Sequence, residues 1–106
     1  MRRAAKVDNN HVEIVLALKL AGYLVYRIND AALPDVWVAH PNHVDRGWWP
    51  LEIKGPHGRT TPAQDRWRAS VGSAAGHIVR SPQEALDAVT EHFVGTGGNA
   101  NGGRND

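Results

Sequence analysis

Cysteine is absent from all 106 residues. That excludes a disulfide scaffold, a thiolate nucleophile and a Cys-ligated zinc or iron–sulfur centre. It also suits a reducing compartment. Charge of one sign is scarce as well: 12 Lys and Arg stand against 11 Asp and Glu, a net charge of +1. No global basic field announces nucleic acid, so any such site must come from local clustering. No apolar run approaches the ~20 residues of a membrane span. The basic start Met1-Arg2-Arg3 leads into no apolar stretch, so no signal peptide is expected and the default location is the cytoplasm. What is present is ordinary: 42% hydrophobic and 22% charged residues suit one soluble globular domain.

Residues 95–106 read GTGGNANGGRND and hold five of the eleven glycines. They carry no large apolar side chain whose burial would offset ordering, so a disordered tail is expected. Residues 1–7 are expected to be a flexible basic lead, leaving one domain over 8–94. Asp8, Asn9 and Asn10 offer N-cap side chains for a helix over 11–21, apolar on most faces and closed by Gly22. Residues 23–28 alternate with strand period, Leu24, Tyr26 and Ile28 facing one way and Tyr23, Val25 and Arg27 the other. After a turn at Asn29-Asp30, a β-rich run over 35–39 follows Pro34. A third strand is expected over 48–54, where Pro50 suggests an edge or a bulge. Thr61-Pro62-Ala63-Gln64 is a capping box with Pro at the first helical position, opening a helix to about residue 75 that Gly76 closes. Ser81-Pro82-Gln83-Glu84 repeats that pattern for a last helix to Phe93, with a short strand at His77-Ile78-Val79 between the two. The order is α-β-β-β-α-β-α, an α/β fold with a small mixed sheet flanked by helices. Trp37 and Trp67 are expected in the core. Of the adjacent Trp48 and Trp49, one is left on a surface, for a dimer contact or for stacking on bases.

The chemistry gathers on three residues. Strand period puts Glu52 and Lys54 on one face while Leu51 and Ile53 point to the core. Asp35 opens the preceding strand, so pairing of the two strands brings Asp35 and Glu52 together. Two neighbouring carboxylates repel, and a divalent cation relieves that. Mg2+ takes hard oxygen ligands and keeps waters. Such an ion activates water and neutralises charge on a phosphoryl group, and a lysine beside it holds water or phosphate. The set suits phosphodiester hydrolysis without a serine triad or an organic cofactor.

Pro34-Asp35, a gap of 16 residues and then Glu52-Ile53-Lys54 resemble the PD-(D/E)XK nuclease superfamily. The wider context is similar to the stand-alone VRR-NUC (virus-type replication–repair nuclease) domain. It comprises Glu13 in the first helix, Gly22 before the first strand, Gly55-Pro56 and Gly58-Arg59, Gln64 and Trp67, Gly76-x-x-Val79 and Ser81-Pro82-Gln83-Glu84-Ala85. The resemblance covers about residues 8–89; the chain carries Ala32-Leu33 where the family usually has Gly before Pro-Asp. It implies a restriction-endonuclease-like core and Mg2+ or Mn2+ held by Asp35, Glu52 and the Ile53 carbonyl. Lys54 would orient the attacking water. Glu13 would reach the site from the first helix as a metal or water ligand, and Gln64 from the helix after the catalytic strand. It further implies a homodimer acting on branched DNA such as a Holliday junction, a 5′-phosphate product, and a phage role in a host cytoplasm.

Several residues keep two roles open. Gln64 serves the capping box, the site, or both. Glu13 is either an exposed helix position or a site carboxylate. Lys54, Arg59, Arg66 and Arg68 against the single Asp65 form a local basic cluster, with His57 beside it, suited to phosphate contacts. Arg2, Arg3 and Lys6 form another. His40 and His43 make an HxxH pair without a third ligand, so zinc is not expected. The competing functions are a non-catalytic nuclease-fold module for DNA binding or assembly, and a nuclease for flap, single-stranded or RNA substrates.

Overall fold

The computed structural model describes residues 4–95. Residues 1–3 and all of the expected tail except Gly95 lie outside the described residues. The elements are α1 (Ala4–Leu20), β1 (Leu24–Arg27), β2 (Val36–Ala39), β3 (Trp49–Ile53), α2 (Pro62–Val71), β4 (His77–Val79) and α3 (Pro82–Phe93), in the expected order. Short 3₁₀ turns occupy Val44–Arg46 and Gly72–Ala75. The sheet runs β1-β2-β3-β4. The first three strands form an antiparallel meander, and β4 adds parallel to β3. A parallel neighbour needs a crossover, which α2 and its following turn supply.

The core is fully buried: Ile14 and Leu18 of α1, Val36 and Val38 of β2, Leu51 of β3, Val79 of β4, and Ala85, Val89 and Phe93 of α3. Burying each larger one of these side chains contributes roughly 1.5–3 kcal/mol. Helices α1 and α3 touch each other and share this face of the sheet. Helix α2 buries only Gln64. Gln64 reaches Glu52, whose side chain alternates with Leu51, so α2 serves the opposite face at the end of β3.

Several expectations change. Helix α1 starts at Ala4, so residues 4–7 are helical and Asp8, Asn9 and Asn10 lie inside the helix rather than capping it. Its apolar surface is only half used: Ile14 and Leu18 are buried, while Val12, Leu16 and Leu20 are 58%, 53% and 79% exposed. β3 is an interior strand, not an edge. Pro50 is tolerated there because it sits opposite Trp37 of β2, one residue before β4 begins to pair at Leu51. Helix α2 stops at Val71, earlier than expected, because Gly72 turns to φ 62. Gly76 has φ 77, and a Cβ there would meet the Pro50 carbonyl oxygen at 1.8 Å, so only glycine lets this turn lie against β3. At α3, Ser81 accepts from the Glu84 amide, yet the Glu84 carboxylate reaches back to the Arg80 amide (2.8 Å), one residue before the cap. The reciprocal box is present only at α2. Trp37 and Trp67 are half-buried rather than core. Trp48 is the exposed member of its pair, edge-on to Tyr26 at 5.1 Å. Trp49 stacks on His92 at 3.9 Å and donates to His77 Nδ1 (2.9 Å). His40 and His43 pack edge-on at 4.6 Å, beside Tyr23.

Candidate functional site

Adjacent strand ends bring the expected residues together. Asp35 immediately precedes β2, and its Oδ2 accepts the Ile53 amide of β3 at 2.7 Å. Its own amide donates to the Leu51 carbonyl of β3 and its carbonyl accepts from Ile28, just past β1, so its backbone is held from both sides. Glu52 is 3% exposed, the more buried of the two buried polar side chains among the described residues. Lys54 Nζ lies 3.4 Å from Glu52 Oε2.

Gln64 joins the set. Its Oε1 accepts from Lys54 Nζ (3.0 Å) and from the Thr61 amide (2.9 Å). Its Nε2 donates to Glu52 Oε2 (3.1 Å) and to the Ala31 carbonyl (3.5 Å). One amide therefore closes the capping box and ties the carboxylate to the ammonium. The two roles open in the sequence coexist, because Gln64 Oε1 has two lone pairs and Nε2 two hydrogens.

The electrostatics follow from burial. Glu52 is pushed up from its ordinary 4.5 to about 7, first by desolvation, then by a hydrogen bond to Asp35 and its negative charge. Lys54 pulls the other way and is outweighed. An acid shifted this far in a polar cluster marks a functional candidate.

Beside this cluster opens a cleft of about 190 Å³, bounded by Asp35, Ile53, Lys54, Arg27 and, from α1, Asn10 and His11. Glu52 lies behind it rather than on its wall. Glu13 is absent from the wall and exposed on α1, so the expected contribution of the first helix through Glu13 is not what this geometry provides. Asn10, three residues earlier, reaches the site instead: its Nδ2 donates to the Lys54 carbonyl (2.8 Å) and the Arg80 carbonyl (3.4 Å). A residue that looked like a cap in the sequence is a cross-brace, because α1 extends past it.

The basic residues divide. Arg59, Arg66 and His57 are exposed. Arg68 is engaged by the fold, donating to the Ala75 and Gly76 carbonyls (both 3.3 Å), which corrects its expected place among the phosphate contacts. Arg80, not singled out in the sequence, donates through Nη1 to Gly55 (2.7 Å) and Gly58 (2.8 Å) carbonyls, clamping the loop that follows Lys54. Its only sequence signal is its place just before the Ser81 cap. Arg80→Ala is expected to cost about 2 kcal/mol in urea unfolding, as two charge-assisted bonds are lost. Arg80→Lys should recover only part, since an ammonium lacks the planar fork. Unchanged stability in the alanine variant would show that the clamp is idle.

Among the described residues no three His, Asp or Glu side chains converge on one point. The oxygens at hand are the Asp35 and Glu52 carboxylates and the Ile53 carbonyl. A buried carboxylate beside a second one, with no sulfur nearby, fits a hard divalent cation that keeps its own waters. No helix among the described residues is long and apolar enough to cross a membrane. Comparison of the chain with protein-family models, with curated proteins and with solved structures found no match to any of them.

Proposed function

We propose that this chain is a divalent-metal-dependent DNA endonuclease of the PD-(D/E)XK type. The observation that carries the proposal is the buried Glu52, bonded to Gln64, paired with Lys54 and pushed up to about 7 by burial and by Asp35. A purely structural strand face has no use for so costly a carboxylate. The resemblance of Pro34-Asp35, Glu52-Ile53-Lys54 and Gln64 to VRR-NUC domains points the same way.

Asp35, Glu52 and the Ile53 carbonyl would hold Mg2+ or Mn2+, which when bound acidifies water and neutralises phosphate charge. Lys54 donates to the attacking water or to a phosphate oxygen, where its charge offsets the charge that develops. Gln64 keeps the Lys54 ammonium from swinging away and fixes the Glu52 carboxylate at Oε2. Asn10 holds the Lys54 carbonyl and Arg80 the Gly55 and Gly58 carbonyls that follow, so the backbone from which the Lys54 side chain leaves is fixed. The Ile53 amide, donating to Asp35 Oδ2, fixes the orientation of that carboxylate.

Branched DNA as substrate and a homodimer as the acting form belong to the same proposal. A two-fold pair of sites matches the symmetry of a four-way junction. The test is cleavage of end-labelled four-way junction, flap, linear duplex and single strand, in EDTA, Mg2+ and Mn2+. Expected are metal-dependent cuts, symmetric about the branch point. DNA binding without cleavage in either metal would reject the enzyme and leave a nuclease-fold binding module.

A further inference from the structure

A second hollow adjoins the cleft on the outer side of α1. It measures about 220 Å³ and is bounded by His11, Val12, Val15, Leu16 and Lys19 of α1 with Arg27 of β1. His11 and Arg27 border the cleft as well, so the two openings are neighbours that share these two residues. The floor is apolar: Val15 packs toward the core, while Val12 and Leu16 stay more than half exposed. The rim is cationic and carries no carboxylate. Arg27 and Lys19 are exposed and have no ion-pair or hydrogen-bond partner among the described residues. Arg68 and Arg80, by contrast, are taken up by backbone carbonyls.

We infer that this hollow is the lane for the nucleic-acid backbone leaving the site, with Arg27 and Lys19 each holding a phosphate and the Val15–Leu16 floor meeting the sugars. It rests on the proposed function for the nature of the substrate. Charge complementarity selects the occupant: two unpaired cations over a carboxylate-free apolar floor suit a polyanion whose sugars are less polar than its phosphates. Dimensions agree. From His11 to Lys19 helix α1 rises about 12 Å, close to the axial rise of three to four nucleotides at about 3.4 Å each. Neither Arg59 nor Arg66, exposed positions that the sequence singled out, is among the residues that bound it.

The test is fluorescence anisotropy of the full chain on a labelled linear DNA duplex, in EDTA across a salt series. Arg27→Gln with Lys19→Gln is compared with wild type and with Arg46→Gln, a one-charge change in the turn before β3. The double variant should bind about tenfold or more weaker. Its slope of log affinity against log salt should fall by nearly two, at about 0.9 per phosphate contact, with Arg46→Gln unchanged. A merely structural role would not move that slope. Equal affinity and slope in the double variant overturns the lane, and so does failure of wild type to bind the duplex. A dimer in light scattering that Leu16→Glu splits, with DNA binding untouched, would make the hollow a contact between two copies and overturn it too. Wild-type cleavage in Mg2+ and Mn2+ is run alongside. Loss of binding in the double variant with no wild-type cleavage keeps the lane and removes the nuclease. Cleavage with unchanged binding in the double variant removes the lane alone.

Discussion

Lys54→Ala is expected to slow metal-dependent DNA cleavage by about 10²–10³-fold while leaving duplex binding in EDTA within a few-fold of wild type. The magnitude is that of removing one preorganised donor aimed at developing charge, about 3–4 kcal/mol of transition-state stabilisation. Lys54 suits the role because its ammonium is largely withdrawn from water, with 16% of the side chain exposed, and is fixed by Gln64 and Glu52. Fixing matters as much as charge, since a mobile ammonium would have to reorganise at the moment of reaction. Lys54→Arg should therefore rescue poorly: a guanidinium fork does not reproduce a point donor between two oxygens. Gln64→Ala should fall between, slowing cleavage and also costing about 1 kcal/mol of cap stability. Cleavage by Lys54→Ala at the wild-type rate, in protein free of contaminating nuclease, would discard the mechanism.

The second large effect is on stability, and its sign is unusual for a carboxylate. Folded Glu52 holds its proton to about 7, whereas the unfolded chain releases it near the ordinary 4.5. Between those values the folded state binds more protons, so stability falls as pH rises. The loss is absent below about pH 4.5 and complete above about pH 7. A shift from 4.5 to about 7 corresponds to about 3 kcal/mol at most. Glu52→Gln keeps the shape and removes the titration. Measured by urea unfolding in EDTA, the stability of Glu52→Gln relative to wild type should therefore rise by up to about 3 kcal/mol from pH 4.5 to pH 7.5. Mg2+ or Mn2+ should restore much of the wild-type loss near pH 8, because a cation that binds only the folded state adds stability by mass action. Glu52→Gln should lack that response. Parallel pH profiles for the two proteins would show that the Glu52 proton is not held by burial and Asp35.

Much of the fold was legible because its punctuation is local. The Thr61 box with Pro62, the Ser81 cap with Pro82 and the strand alternation around Leu51, Glu52 and Ile53 each act within a few residues. Boundaries failed where a longer-range contact decided them. Asn10 belongs to a longer helix and braces Lys54 across 44 residues. Gly76 stops the turn against Pro50, a neighbour that exists only once β3 and β4 pair. Pro50 itself reads as an edge residue, yet its pairing partners make β3 central.

The candidate site divides in the same way. Asp35, Glu52 and Lys54 were visible from side-chain chemistry and strand period, Gln64 from its capping box and the family resemblance, and the folded chain brings them together. Glu13 kept two roles open in the sequence, and because its apolar neighbours divide, Val12 exposed and Ile14 buried, flanking residues say nothing about where Glu13 points. Arg68 and Arg80 looked alike as charges. Only the folded backbone, with its carbonyls at Ala75, Gly76, Gly55 and Gly58, engages both while leaving Arg27 and Lys19 unpaired.

By itself, then, the sequence determined the element order, the caps of α2 and α3, the face shared by Glu52 and Lys54, and the exclusion of thiol chemistry. All of these follow from residue type and from spacings shorter than a strand or a helical turn. Tertiary structure alone decided which surface of α1 is buried, which arginines remain available, how far Glu52 is desolvated, and that one glutamine serves cap and site together. Those properties depend on distances between residues far apart in the chain, and no local pattern encodes them.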